Sequence, residues 1–103
     1  MLDTAGFNDL RSYIKRRIAY AQYRVGNTYY KTYLSDVAIL SNGTVRAQLS
    51  INNSTGAAIT VKWVGLYNSE NALWAHQDCN ITVSANQTGI LFWFDFTITE
   101  EAS

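Results

Sequence analysis

The sequence predicts a mainly β protein: an antiparallel, two-layer, β-sandwich-like domain with one N-terminal α-helix. Three observations predict it. The segment Ile90-Leu91-Phe92-Trp93-Phe94-Asp95-Phe96-Thr97-Ile98 alternates without a break, and strand side chains point to opposite faces with period two. Ile90, Phe92, Phe94, Phe96 and Ile98 therefore share one face, and a row of three Phe rings needs a second layer to cover it. Residues 45–51 alternate in the same way, with Val45, Ala47, Leu49 and Ile51 toward a core and Arg46, Gln48 and Ser50 away from it. Gly26-Asn27 and Ser41-Asn42-Gly43 each divide two β-patterned runs, where residues that tolerate positive φ close tight hairpins. The aromatic final strand is expected to lie in the centre of its sheet.

The elements follow in order. Phe7, Leu10, Ile14 and Ile18 fall three and four apart, which predicts an amphipathic helix over 4–18 that Asp3 or Thr4 can cap. Arg11, Lys15, Arg16 and Arg17 come late in it, where positive charge complements the negative end of the helix dipole. One short helix cannot bury its own stripe, so it is expected to pack within the subunit. Residues 19–25 and 28–34 form a first hairpin, and 36–40 with 44–51 a second. Residues 52–56 are a polar loop. Residues 58–67 read as a long strand in which Ile59, Val61 and Trp63 share one face and Val64 and Leu66 the other, a switch of phase beside Gly65 that marks a β-bulge. Residues 68–71 turn, 73–77 pair back, 81–83 form a short strand, and 85–89 loop into the last strand. The chain reads as one domain, 1–103, with a β portion at 19–99 and a short acidic tail at 100–103. Proline is absent throughout, so turn geometry falls to Gly and Asn.

Eight basic and eight acidic residues cancel, so no overall charge draws the protein to nucleic acid or membrane. The charges are nonetheless segregated. Arg11, Lys15, Arg16, Arg17, Arg24 and Lys31 face only Asp3 and Asp9 within residues 1–31, and the remainder is acidic by the same margin. A basic end and an acidic end suit head-to-tail docking. Cys79 is the only cysteine, which excludes an internal disulfide. The sequence has neither a signal-peptide pattern nor an apolar run of membrane-spanning length, so synthesis in the cytoplasm without export is expected.

Catalytic chemistry is sparse. His76, Asp78 and Cys79 form the one cluster that resembles a catalytic or metal set. On a strand His76 and Asp78 share a face while Cys79 points away, which defeats a Cys–His pair. One His and one Cys do not complete a zinc site. No enzyme activity, catalytic residue, metal or cofactor is expected. Tyr20, Tyr23, Tyr29, Tyr30 and Tyr33 crowd one hairpin, with Tyr29 and Tyr33 on one face and Tyr30 on the other. Packing within the subunit, a subunit interface and ligand binding all remain open for these rings. Trp93, opposite the Phe row, raises the same question. Asn-x-Ser/Thr sequons begin at Asn42, Asn52, Asn53, Asn80 and Asn86, and these read as turn chemistry.

Several stretches are similar to a known group. Ile14-Lys15-Arg16-Arg17-Ile18-Ala19-Tyr20-Ala21 with Tyr23-Arg24-Val25-Gly26 resembles the start of small phage and prophage proteins from tail or fibre gene modules of Gram-positive bacteria. Val64-Gly65-Leu66-Tyr67-Asn68, Leu73-Trp74-Ala75 and Gly89-Ile90-Leu91-Phe92-Trp93-Phe94 resemble further parts of such proteins. The resemblance implies a non-enzymatic virion structural protein, tail- or fibre-associated, that acts as a homo-oligomer beside other phage structural proteins. A carbohydrate-binding or host-receptor-binding module, using exposed Tyr and Trp on a host surface glycan, is the alternative. Neither nucleic acid nor membrane is an expected partner. Arg17, Tyr23, Tyr30 and Trp93 are the candidate residues for subunit contact or ligand binding.

Overall fold

A computed structural model describes residues 2–53, 55–87 and 90–99. The chain runs α1 (Thr4–Arg17), β1 (Tyr20–Val25), β2 (Thr28–Thr32), β3 (Leu34–Ile39), β4 (Val45–Ile51), β5 (Ile59–Tyr67), β6 (Leu73–Val83) and β7 (Ile90–Phe96). Two antiparallel sheets result, one ordered β2-β1-β5-β6 and the other β3-β4-β7. Tyr33 alone separates β2 from β3, so the chain changes sheet at a corner. Thr32 Oγ1 ties that corner by donating to the Ser50 carbonyl at 3.2 Å. Strands β2 and β3 are the edges of their sheets at this corner, and β6 and β7 are the edges at the far side.

The sandwich core draws on both layers. Ala21, Val61, Val64, Leu66 and Val83 meet Ala47, Leu49, Ile51 and Phe94, with Ile18 joining from the end of the helix. On β4 every second residue is fully buried, as the alternation of Val45, Ala47, Leu49 and Ile51 predicts. The Phe row faces inward: Phe92 packs edge-on to Phe94, and Phe96 packs edge-on to Trp74 of the opposite sheet at 5.4 Å. The mainly β, sandwich-like architecture with one N-terminal helix is therefore present.

Four details differ from the expectations. The aromatic strand β7 is an edge strand, and β4 is the central one. Alternation reports which face of a strand is covered, not how many neighbours its backbone has. The bulge of β5 lies between Val61 and Trp63 and not beside Gly65. Against β1, Lys62 is the additional residue, and skipping it lets Val61, Val64 and Leu66 all reach one core while Trp63 turns outward. Residues 73–83 form one strand in place of two short ones. The polar run His76-Gln77-Asp78 imitates a loop, but an edge strand with a solvated face accepts such residues. The helix stops at Arg17, with Ile18 extended as its C-cap.

That helix lies against β3 and β4, within the subunit as expected. Its hold is thin. Ile14 is only half-buried, Leu10 and Tyr13 are exposed, and no residue of α1 itself is fully buried. Asp3 occupies the N-cap without a side-chain hydrogen bond, while Lys15, Arg16 and Arg17 fill the last turn. The molecule measures 53 × 27 × 23 Å with a radius of gyration of 15.7 Å, against about 13 Å for a compact chain of this length.

Candidate functional site

The four residues singled out from sequence do not converge. Tyr23 and Tyr30 pair directly across β1 and β2, on the inward-facing side, and stack at 5.4 Å. They line a cleft of about 130 Å³ with Val25, Asn52, Thr55 and Ile59. Burial, and then the neighbouring Tyr30, push the Tyr23 phenol above its ordinary pKa, so it stays protonated at neutral pH. Arg17 lies at the end of the helix, 3.7 Å from the exposed Glu70 carboxylate. Trp93 stands on the outer face of the three-stranded sheet, 48% exposed.

The larger aromatic surface is the outward face of the four-stranded sheet. Strand registers order it in three rows. Tyr29, Arg24, Trp63 and Asp78 form the first, on β2, β1, β5 and β6 in turn; Lys31, Gln22, Gly65 and His76 form the second. Tyr20, Tyr67 and Leu73 form the third. Trp63 is the centrepiece because Gly65, two residues on and on the same face, leaves it somewhere to lie. A Cβ at Gly65 would collide with the Trp63 ring, so the indole lies down over the glycine. His76 is near-parallel to it at 6.1 Å, and Tyr29 meets it edge-on at 5.5 Å. Tyr20 and Tyr67 stack at 5.1 Å, and the Tyr20 hydroxyl donates to Asn71 Oδ1.

Two cations lie among these rings, and a third on this face, Lys62, bonds Asn80 Oδ1 at 3.0 Å. Strands β2 and β5 lie either side of β1, roughly 9–10 Å apart, yet their Tyr29 and Trp63 rings come to 5.5 Å. The rings therefore lean together across Arg24, whose Nε is buried without a hydrogen-bond partner among the described residues. Lys31 Nζ lies 4.4 Å from the Tyr20 ring centroid and 5.4 Å from that of Tyr33. Sequence reasoning missed the pairing of Trp63 with Gly65 because the bulge was placed too late, which put Trp63 on the same face as Ile59 and Val61. The usable signal was Trp-x-Gly on a strand, where a glycine gives a large ring a bed.

The outer face of the three-stranded sheet is organised around an ion pair. Arg46 makes two parallel bonds to the Asp95 carboxylate, at 2.8 and 2.9 Å, and its guanidinium lies 5.0 Å from the Trp93 ring. The hydrogen bond from Arg46 lowers the Asp95 pKa, and the same bond raises that of Arg46. Beyond Trp93 and Leu91, both half-exposed, the backbone edge of β7 pairs with no other strand among the described residues.

Around His76 the expected geometry holds: Asp78 shares its face, while the Cys79 thiol turns inward toward the Val61 carbonyl at 3.5 Å. Burial, then Asp78, raise the thiol's pKa, with Lys62 opposing. Among the described residues no group of three His, Cys, Asp or Glu side chains is gathered as a metal site needs, and no helix is long and apolar enough to cross a membrane. Comparison of the chain with protein families, with curated proteins and with solved structures finds no match.

Proposed function

We propose that this chain is a non-enzymatic structural protein that acts through homo-oligomeric assembly, as a tail- or fibre-associated component of a phage virion. The phage assignment comes from the resemblance of its sequence. The assembly reading is carried by one observation, the undefended edge of β7. Natural edge strands are blunted by charges, proline, bulges or short length. Strand β7 spans seven residues of continuous register with β4, and its single charge, Asp95, is already engaged by Arg46. The other edge strands are each interrupted: β2 carries Lys31, β3 carries Asp36 and a register shift, and β6 carries His76, Asp78 and Asn80 with two register irregularities.

A second copy is the partner that fits. Two β7 strands meeting antiparallel about Trp93 place each Leu91 beside the partner's Asp95 position and extend both three-stranded sheets into one of six strands. Such a contact is isologous and closes on itself. Light scattering of the purified protein tests the reading. A mass that is a whole multiple of 11.6 kDa, reduced to that of one chain by Leu91→Lys with Trp93→Lys, supports it. A single-chain mass at millimolar concentration overturns it.

A further inference from the structure

We infer that the outward face of the four-stranded sheet is a binding site for an anionic glycan, with Trp63 as the stacking platform and Arg24 and Lys31 as the anion contacts. The inference stands on a different sheet from the assembly edge and does not depend on it. Its basis is the arrangement around one ring.

Trp63 lies down over Gly65 instead of standing on the sheet. A flat indole matches the C–H face of a pyranose, which is apolar although the sugar's hydroxyls are not. Those hydroxyls radiate in the plane of the sugar ring, so a site needs polar side chains around the platform and none on it. The registers supply that frame. Arg24 and Asp78 flank Trp63 on the two neighbouring strands, and Gln22 and His76 flank Gly65 beneath its ring. Together they offer donors and acceptors on both sides. Tyr29, 51% exposed, and Leu73, 48% exposed, extend the surface beyond the frame.

The charge selects among glycans. Arg24 and Lys31 are diagonal neighbours across β1 and β2, about 7–8 Å apart by sheet geometry and somewhat closer at their Cβ atoms. Neither makes an ion pair among the described residues; Lys31 rests on aromatic rings, and Arg24 keeps a buried Nε with no partner. Two unneutralised cations beside a stacking ring call for a carboxylate or phosphate substituent on the sugar. Asp78, across the platform, excludes a ligand that is acidic throughout.

Single-stranded nucleic acid also combines stacking with charge. Its affinity, however, scales with the number of phosphates neutralised. Three cations on this face, Arg24, Lys31 and a Lys62 already bonded to Asn80, and a net charge of zero do not form a backbone-tracking groove. The alternation of neutral polar residues with rings favours the sugar.

The test is a printed panel of uronate-, sialate- and glycerol-phosphate-bearing oligosaccharides, beside neutral glucans and oligo-dT, followed by calorimetry on the best binder. The inference predicts binding confined to acidic sugars and weakened by salt. Trp63→Ala and the pair Arg24→Gln with Lys31→Gln should each reduce affinity about tenfold or more, as loss of a stacking ring or of two charge contacts does. Circular dichroism and light scattering of each variant separate lost binding from lost fold or assembly. The Gln pair leaves the platform intact, so it tests the charge even where Trp63→Ala unfolds the sheet. Absence of any acidic-sugar binding, equal binding of neutral glucans, preference for oligo-dT, or full affinity in the Gln pair would each overturn the inference.

Discussion

Asn53 is buried to within 1% of its surface, and replacing it tests the loop architecture. Its Nδ2 donates to three carbonyls, Ala57 at 2.7 Å, Val83 at 3.1 Å and Ser84 at 3.0 Å. Its Oδ1 accepts from the Thr55 amide and hydroxyl at 3.0 and 2.7 Å. One side chain thereby fastens the loop after β4 to the end of β6. Asn53→Ala removes all five bonds. Thr55 regains water, whereas the Val83 carbonyl is left buried with its acceptor capacity unmet. About 1 kcal/mol for each of the two partly buried carbonyls and about 1–2 for the buried one give a loss of about 3–4 kcal/mol. For a domain of this size that lowers Tm by about 12–25 °C. Asn53→Asp keeps the shape but turns carboxylate oxygens toward three carbonyls. Its folded pKa rises, so the variant is most stable when protonated and loses stability as pH climbs above about 4. Urea unfolding with an unchanged slope, followed at pH 3 and pH 7, measures both effects. An Asn53→Ala variant within 1 kcal/mol of the parent, or an Asn53→Asp variant that strengthens with rising pH, would refute the reasoning.

Leu49→Ala opens a void in the centre of the core, where Leu49 is fully buried, and should cost about 3 kcal/mol by chemical denaturation. The Asp95 pKa is depressed by its bonds to Arg46, so the stability it contributes is present above the ordinary value of 3.8 and fades as pH falls below it. The acid limb of a Tm-versus-pH curve should accordingly be shallower in Asp95→Asn than in the parent. Burial raises the Cys79 pKa, and alkylation at pH 8 should run slower than with free cysteine and reach the free rate only in denaturant.

The parts of the fold that could be read in advance are those where one face is buried without interruption. Strand β4 and the inward Phe row of β7 follow from alternation alone, since burial on one face leaves a period-two imprint. Sheet order leaves no such imprint. Whether β7 has one neighbour or two depends on backbone groups common to every residue, and its edge position could not be read from its side chains. The bulge at Lys62 broke the pattern on β5 and carried Trp63 to the opposite face from the one anticipated. The candidate site suffered from both effects. Tyr23, Tyr30 and Trp93 were recognisable as unusual rings, yet which of them share a surface is fixed by register between distant strands. Asn42 and Asn53 are clearer: each Oδ1 accepts from the backbone amide two residues on, the turn chemistry that their loop setting suggested.

Amide hydrogen exchange across residues 90–96 tests the central claim, that β7 pairs with a second copy, most directly. Paired on both sides, its amides should become more protected as protein concentration rises, and Leu91→Lys with Trp93→Lys should abolish that dependence. Alternate amides of β7 exchanging rapidly, at the same rate from micromolar to millimolar concentration, would contradict it.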